Sequence, residues 1–91
     1  MFVHLILHKW SNSNSDGAQI EGAFFQYQKA VDRMKTLAHA DREQQVKDYG
    51  YTWNSDMCED GEEYISYGFY GHGVFDGVCE QWELVTEEVE E

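Results

Sequence analysis

Tyr27, Ala30, Val31, Met34, Leu37 and Ala38 recur at three- and four-residue spacings, the apolar stripe of an amphipathic helix. The segment that carries them runs from about Gln26 to Asp48, and the segments on either side have the character of strands. One helix with one apolar stripe has to bury that stripe against a sheet, so the fold class follows from this segment. Gly50 suits the end of the helix, and Glu43 and Lys47 form an i,i+4 pair in the favourable order. Asp41 interrupts the stripe, which resumes with Val46 and Tyr49. The last two turns are therefore expected to project past the sheet or to meet a partner.

MFVHLILHKW opens the chain with two-sided apolar character, as in a strand central to its sheet. Its longest apolar run, Phe2 to Leu7, contains His4 and falls far short of the ~20 residues that span a bilayer. It has neither a basic n-region nor a small-residue cleavage site, so it reads as a strand and not as a signal peptide. A cytoplasmic location is expected, with Cys58 and Cys79 as reduced thiols. SNSNSDG over 11–17 is a loop, and AQIEGAFF a second strand weakened by Gly22.

Residues 51–62 read as a long polar loop. Beyond it Ile65, Tyr67 and Phe69 alternate with Tyr64, Ser66 and Gly68 at the strand period. Asp76-Gly77 is a two-residue hairpin signal that would pair Phe75 with Val78, Gly71 with Trp82, and Phe69 with Leu84. Gly71-His72-Gly73 offers a competing turn. The sum is an α+β domain over 1–86: a small antiparallel sheet in ββαββ order with one amphipathic helix on one face, followed by an acidic C-terminal tail over 87–91. Several Tyr and Trp residues have no place beneath one helix, so a homodimer or a partner contact is expected.

The net charge of −12 is unevenly distributed. Lys29, Arg33, Lys35, Arg42 and Lys47 are the last basic residues in the chain. Residues 50–91 then hold Asp56, Glu59, Asp60, Glu62, Glu63, Asp76, Glu80, Glu83, Glu87, Glu88, Glu90 and Glu91 with no base among them. Such a surface repels nucleic acid and anionic membranes, whose phosphates require cations, and attracts basic protein surfaces.

Catalytic and metal signatures are weak. His4 and His8 lie on one face of a strand but about 13 Å apart at ~3.3 Å per residue, too far to share one ion. Each is read as a half-buried strand histidine with a hydrogen-bond partner. Cys79 and His72 lack a third, orienting group. From Asp56 the calcium-loop pattern places Gly61 sixth but Tyr67 twelfth, where a bidentate Glu is required. Gly68, Gly71 and Gly73 are followed by neither a Lys-Ser/Thr pair nor a helix start. No catalytic residue, metal ligand or cofactor site is expected, and the chain is read as non-enzymatic.

What remains is an acidic, aromatic surface. Tyr and Trp bury large area at low entropic cost, and carboxylates around them can imitate phosphates toward an arginine-rich groove. Glu59, Asp60, Glu62, Glu63 and Asp56 are expected to supply the electrostatics, with Tyr64, Tyr67, Tyr70 and Trp53 as anchors.

HKW at 8–10, GAFFQYQKAV at 22–31 and WELV at 82–85 resemble segments of a loose group of small proteins from bacteriophage and mobile-element genomes. The chain departs from the group in having Gln26 where a Ser or Thr helix cap is usual. The group supplies no catalytic residues to carry over. The resemblance implies a setting, in which small acidic phage proteins bind and block host proteins, as anti-CRISPR and other anti-defence inhibitors do. The resulting expectation is an inhibitor or adaptor that docks on a basic, nucleic-acid-binding site of a host protein. The alternatives are a self-associating accessory protein and a small metal- or ligand-binding domain.

Overall fold

The computed structural model describes residues 1–11, 15–49, 57–71 and 74–90. The elements follow in the order β1 (Phe2–Ser11), β2 (Asp16–Phe24), α1 (Tyr27–Tyr49), β3 (Cys58–Glu59), β4 (Tyr64–Gly71) and β5 (Val74–Glu88). The strands form one antiparallel sheet in the order β2-β1-β5-β4-β3. The α+β class and the helix on one face hold, but the element order is ββαβββ and not ββαββ. The added strand, β3, is two residues long and lies in the stretch read as a loop. It adds to the sheet edge only through Cys58↔Ser66 and Glu59↔Ile65.

β1 is paired on both sides, as its two-sided apolar character requires. Alternation along it sends His4, Ile6, His8 and Trp10 toward α1, and Val3, Leu5, Leu7 and Lys9 toward the other face. β5 carries Leu84 opposite Ile6 and Trp82 opposite His8, and β4 carries Ile65 opposite Trp82. Onto this face the helix lays Ala30, Val31, Met34 and Ala38, the residues of its stripe. Together with Ile6, Ile65, Tyr67, Trp82 and Leu84 they form the buried core, each large apolar side chain there contributing about 1.5–3 kcal/mol. The helix starts without a Ser or Thr cap, the Gln26 carbonyl accepting from the Ala30 N–H at 3.2 Å. Gly50, read as its terminator, lies outside the described residues.

The β4–β5 hairpin turns between Gly71 and Val74, so the competing turn is the one used. Phe69 faces Val78, Gly68 faces Cys79 and Ile65 faces Trp82, in place of the pairings expected from an Asp76-Gly77 turn. The register jumps from Phe69↔Val78 to Tyr70↔Phe75, leaving Asp76 and Gly77 as extra residues inside β5. A residue pair that tolerates positive φ serves a bulge as readily as a turn. β5 also runs on to Glu88, pairing Glu87 and Glu88 with Val3 and Phe2, so strand structure extends into the stretch read as an acidic tail. No helix among the described residues is long and apolar enough to cross a membrane.

Candidate functional site

The register gathers the expected acidic residues at one end of the sheet. Tyr64 opens β4 opposite Glu83, and the Leu84 N–H donates to the Glu63 carbonyl at 2.9 Å. The β3–β4 turn, closed by Asp60 N–H to Tyr64 C=O at 2.9 Å with Gly61 at φ 70°, therefore sits beside Glu83 and Leu84 of β5. Asp60, Glu62 and Glu63 are exposed there, and Glu87 and Glu88 are exposed on the strand that continues past them. Glu59, one step inward on β3, meets His39 of α1 at 3.0 Å. Glu63 accepts from the Tyr27 hydroxyl at 3.2 Å. Desolvation and the neighbouring charges of Glu63 and Glu62 hold that phenol above its ordinary pKa.

Beyond the turn, the end at which β5 finishes exposes apolar side chains. Met1 is 65% exposed, Phe2 55%, Phe25 66% and Val89 39%, and Val89 N–H donates to the Met1 carbonyl at 2.7 Å. Phe2 pairs with Glu88, and Phe25 follows Phe24, whose partner is His4. An apolar patch and its carboxylate neighbours thus share the end at which β1 and α1 begin and β2 and β5 finish.

The expected aromatic anchors divide. Tyr67 is 3% exposed and belongs to the core, because alternation on β4 turns it with Ile65 toward the helix. It cannot anchor a partner. Tyr64 is half-buried on the opposite, helix-free face. Tyr70 pairs through its backbone with Phe75, and its side chain, like Trp53, Asp56 and His72, lies outside the described residues.

At the other end of the helix–sheet interface lies a polar cluster that the sequence reading did not assemble. His8 Nε2 and Glu80 Oε2 are 2.5 Å apart, and His8 Nδ1 and Glu21 Oε1 are 3.2 Å apart. The amide of Gln45 donates to Glu80 Oε1 at 2.9 Å and to Asp41 Oδ2 at 2.8 Å. The Tyr67 hydroxyl donates to Asp41 and accepts from Trp82 Nε1 at 3.2 Å. The imidazole is stacked on the Trp82 indole. Glu80 is 7% exposed, and no buried side-chain polar atom among the described residues lacks a partner.

Each member has a local cause. The β1–β2 register shifts between Ile6 and Leu7, with Ile6↔Gly22 and Leu7↔Ile20. Glu21 is the extra residue, and the bulge redirects it toward His8. Glu80 falls on the core face of β5 by alternation with Trp82. Asp41 and Gln45, four apart on α1, share the face that points at the sheet. The Asp41 interruption in the helical stripe was the visible signal: the helix stays on the sheet there and exchanges an apolar contact for a polar one.

Both nitrogens of His8 face carboxylate oxygens, which only accept, so the cluster favours the doubly protonated ring. Burial acts against that charge, but the hydrogen bonds to Glu80 and Glu21 and the nearby Asp41 outweigh it, and the His8 pKa is raised above 6.5. Burial and the bond to Asp41 likewise push the Tyr67 hydroxyl far up, so it acts as a permanent donor. His4 and His8 each have a hydrogen-bond partner, His4 through Thr86 Oγ1 at 2.8 Å, as expected for strand histidines.

Comparison with protein-family models, with curated proteins and with solved structures finds no match to this chain.

Proposed function

We propose that the chain is a non-enzymatic protein-binding module that offers the acidic end of its sheet to a basic, nucleic-acid-binding surface of a partner protein. The reading rests on one observation: β5 passes the exposed carboxylates of Asp60, Glu62 and Glu63 and finishes with the exposed Glu87 and Glu88, where Met1, Phe2, Phe25 and Val89 are exposed as well. An apolar centre with charge at its rim is the anatomy of a docking surface. Carboxylates at that rim raise the encounter rate with cations and fix orientation, while the phenyl rings supply buried area. The resemblance to small phage proteins suggests the setting, occlusion of the nucleic-acid groove of a host defence protein.

The test is affinity capture from host lysate at low and high salt, followed by binding kinetics with the captured protein. Glu62→Lys with Glu63→Lys should slow association about tenfold and flatten its salt dependence. Phe2→Ala with Phe25→Ala should instead speed dissociation and leave the salt slope unchanged. Association kinetics identical to wild type in the charge-reversed variant would remove the basis of this reading.

The face of the sheet opposite the helix, which no element among the described residues covers, favours a second reading, self-association. Val3, Leu5, Leu7 and Val85 lie there with Tyr64 and Ile20, the last 62% exposed. Sedimentation giving a stable dimer, abolished by Leu5→Lys, would favour it.

A further inference from the structure

The ligand-capable atoms of His8, Asp41 and Glu80 all lie within 4.8 Å of one another. Donors about 2.0–2.2 Å from a tetrahedral ion are about 3.4 Å apart. The three side chains therefore need shifts of about 1 Å to converge on one centre, within the play of a rotamer well. They come from β1, α1 and β5, so packing of the helix on the sheet builds the set, and not a run of adjacent acids.

Two further features point the same way. The Gln45 amide nitrogen sits 2.8 Å from Asp41 and 2.9 Å from Glu80, marking a point at which both carboxylates aim and at which a cation could replace a neutral donor. Around the donors stands an orienting layer. A metal-binding histidine typically donates its second ring N–H to a carboxylate, and Glu21 lies 3.2 Å from His8 Nδ1. That contact keeps one proton on Nδ1, so that Nε2, which faces Glu80, is the nitrogen left to give up its proton to an ion. Trp82 fixes the imidazole plane by stacking at 3.9 Å, and Tyr67 holds Asp41.

We propose that His8 Nε2, Asp41 and Glu80 bind one divalent first-row transition ion, Zn²⁺, at the junction of helix and sheet, with Glu21 and Tyr67 positioning the donors. One imidazole with two carboxylates suits Zn²⁺ and Co²⁺, whereas Mg²⁺ and Ca²⁺ prefer oxygen alone. Binding displaces the proton from Nε2 and the amide of Gln45, and ties β1 and β5 to the second half of α1. The site is independent of the acidic docking end.

The test titrates the chelator-treated, full-length protein with Zn²⁺ by calorimetry, and with Co²⁺ by visible absorption and tryptophan fluorescence. The expected result is one ion per chain, quenching of Trp82 by Co²⁺, and a rise in melting temperature with Zn²⁺. Asp41→Asn and Glu80→Gln are nearly isosteric, and circular dichroism checks that they fold. Each should weaken binding at least about 100-fold, and Glu21→Gln about tenfold. Cys58 and His39 with Glu59 are another place where Zn²⁺ could lodge, so a Cys58→Ser, His39→Ala variant serves as control and should bind as wild type does. No binding at millimolar Zn²⁺ would overturn the proposal. So would binding that survives both Asp41→Asn and Glu80→Gln, or binding that is lost in the control variant.

Discussion

The imidazole of His8 lies flat on the indole of Trp82, with ring centroids 3.9 Å apart and planes 7° from parallel. The two residues face each other across β1 and β5, and the contact couples the charge state of His8 to the largest side chain of the core. A protonated ring over an indole face is also favoured electrostatically.

The first prediction concerns pH in the presence of chelator. The folded-state pKa of His8 is raised above 6.5. The folded protein therefore holds its proton more tightly than the unfolded chain does. The stability this contributes is complete below the unfolded value and is lost as pH rises through the folded pKa. The urea midpoint should fall between pH 6 and pH 8.5 in wild type, with Trp82 fluorescence reporting the change. His8→Gln should be less stable at pH 6 and should lose most of that slope.

Tyr67→Phe tests the inner part of the cluster. It leaves the ring volume in place but removes the group between Asp41 and Trp82 Nε1. A buried N–H without an acceptor costs about 1–3 kcal/mol. Tyr64→Phe, on the helix-free face of the same strand, should stay within about 0.5 kcal/mol. Denaturant unfolding of the two variants side by side gives the comparison, and equal effects would mean that Tyr67 is not where its burial puts it.

How much of this could be read from the chain depends on what each residue's role needs. The helix was legible because Ala30, Val31, Met34 and Ala38 carry their period in the sequence itself. β1 was legible as a central strand from its two-sided apolar run. The hairpin register was not, because two glycine-containing pairs lie a few residues apart and either can bend the chain. β3 was invisible, since a two-residue edge strand has no period. Glu80 looked like one more surface acid until pairing with Tyr67 and Trp10 fixed which way its side chain points. The acidic turn was legible as composition, but the placing of Phe2 beside Glu88, at the end where β5 finishes, required the sheet order.

Gly17 tests close packing at the far end of β1. It pairs with Trp10, whose ring lies across it, and a Cβ at residue 17 would overlap the indole, with Nε1 2.9 Å away. Gly17→Ala should displace the ring and cost about 1–3 kcal/mol, with a red shift in tryptophan emission. Gly61→Ala meets no neighbouring atom within 4 Å but holds φ at 70°, so its cost should be only about 1 kcal/mol. It should leave the emission unchanged.

Leu5 and Ile6 separate the two faces of the sheet within one dipeptide. Ile6 is fully buried against Met34 and Leu84 in the core cluster, and truncation to Ala should cost about 2–5 kcal/mol, since a packed site cannot collapse around the missing atoms. Leu5 points to the face without a helix, between Ala23 and Val85, and is only half-buried. In a monomer Leu5→Ala should cost about 1 kcal/mol or less, because solvent fills the space and no cavity remains. Its cost would approach that of Ile6 only if a second copy covered the face, and would then depend on protein concentration. Unfolding both variants at two concentrations an order of magnitude apart reads the two cases directly. A large Leu5 penalty that does not change with concentration would contradict the assignment of the two faces.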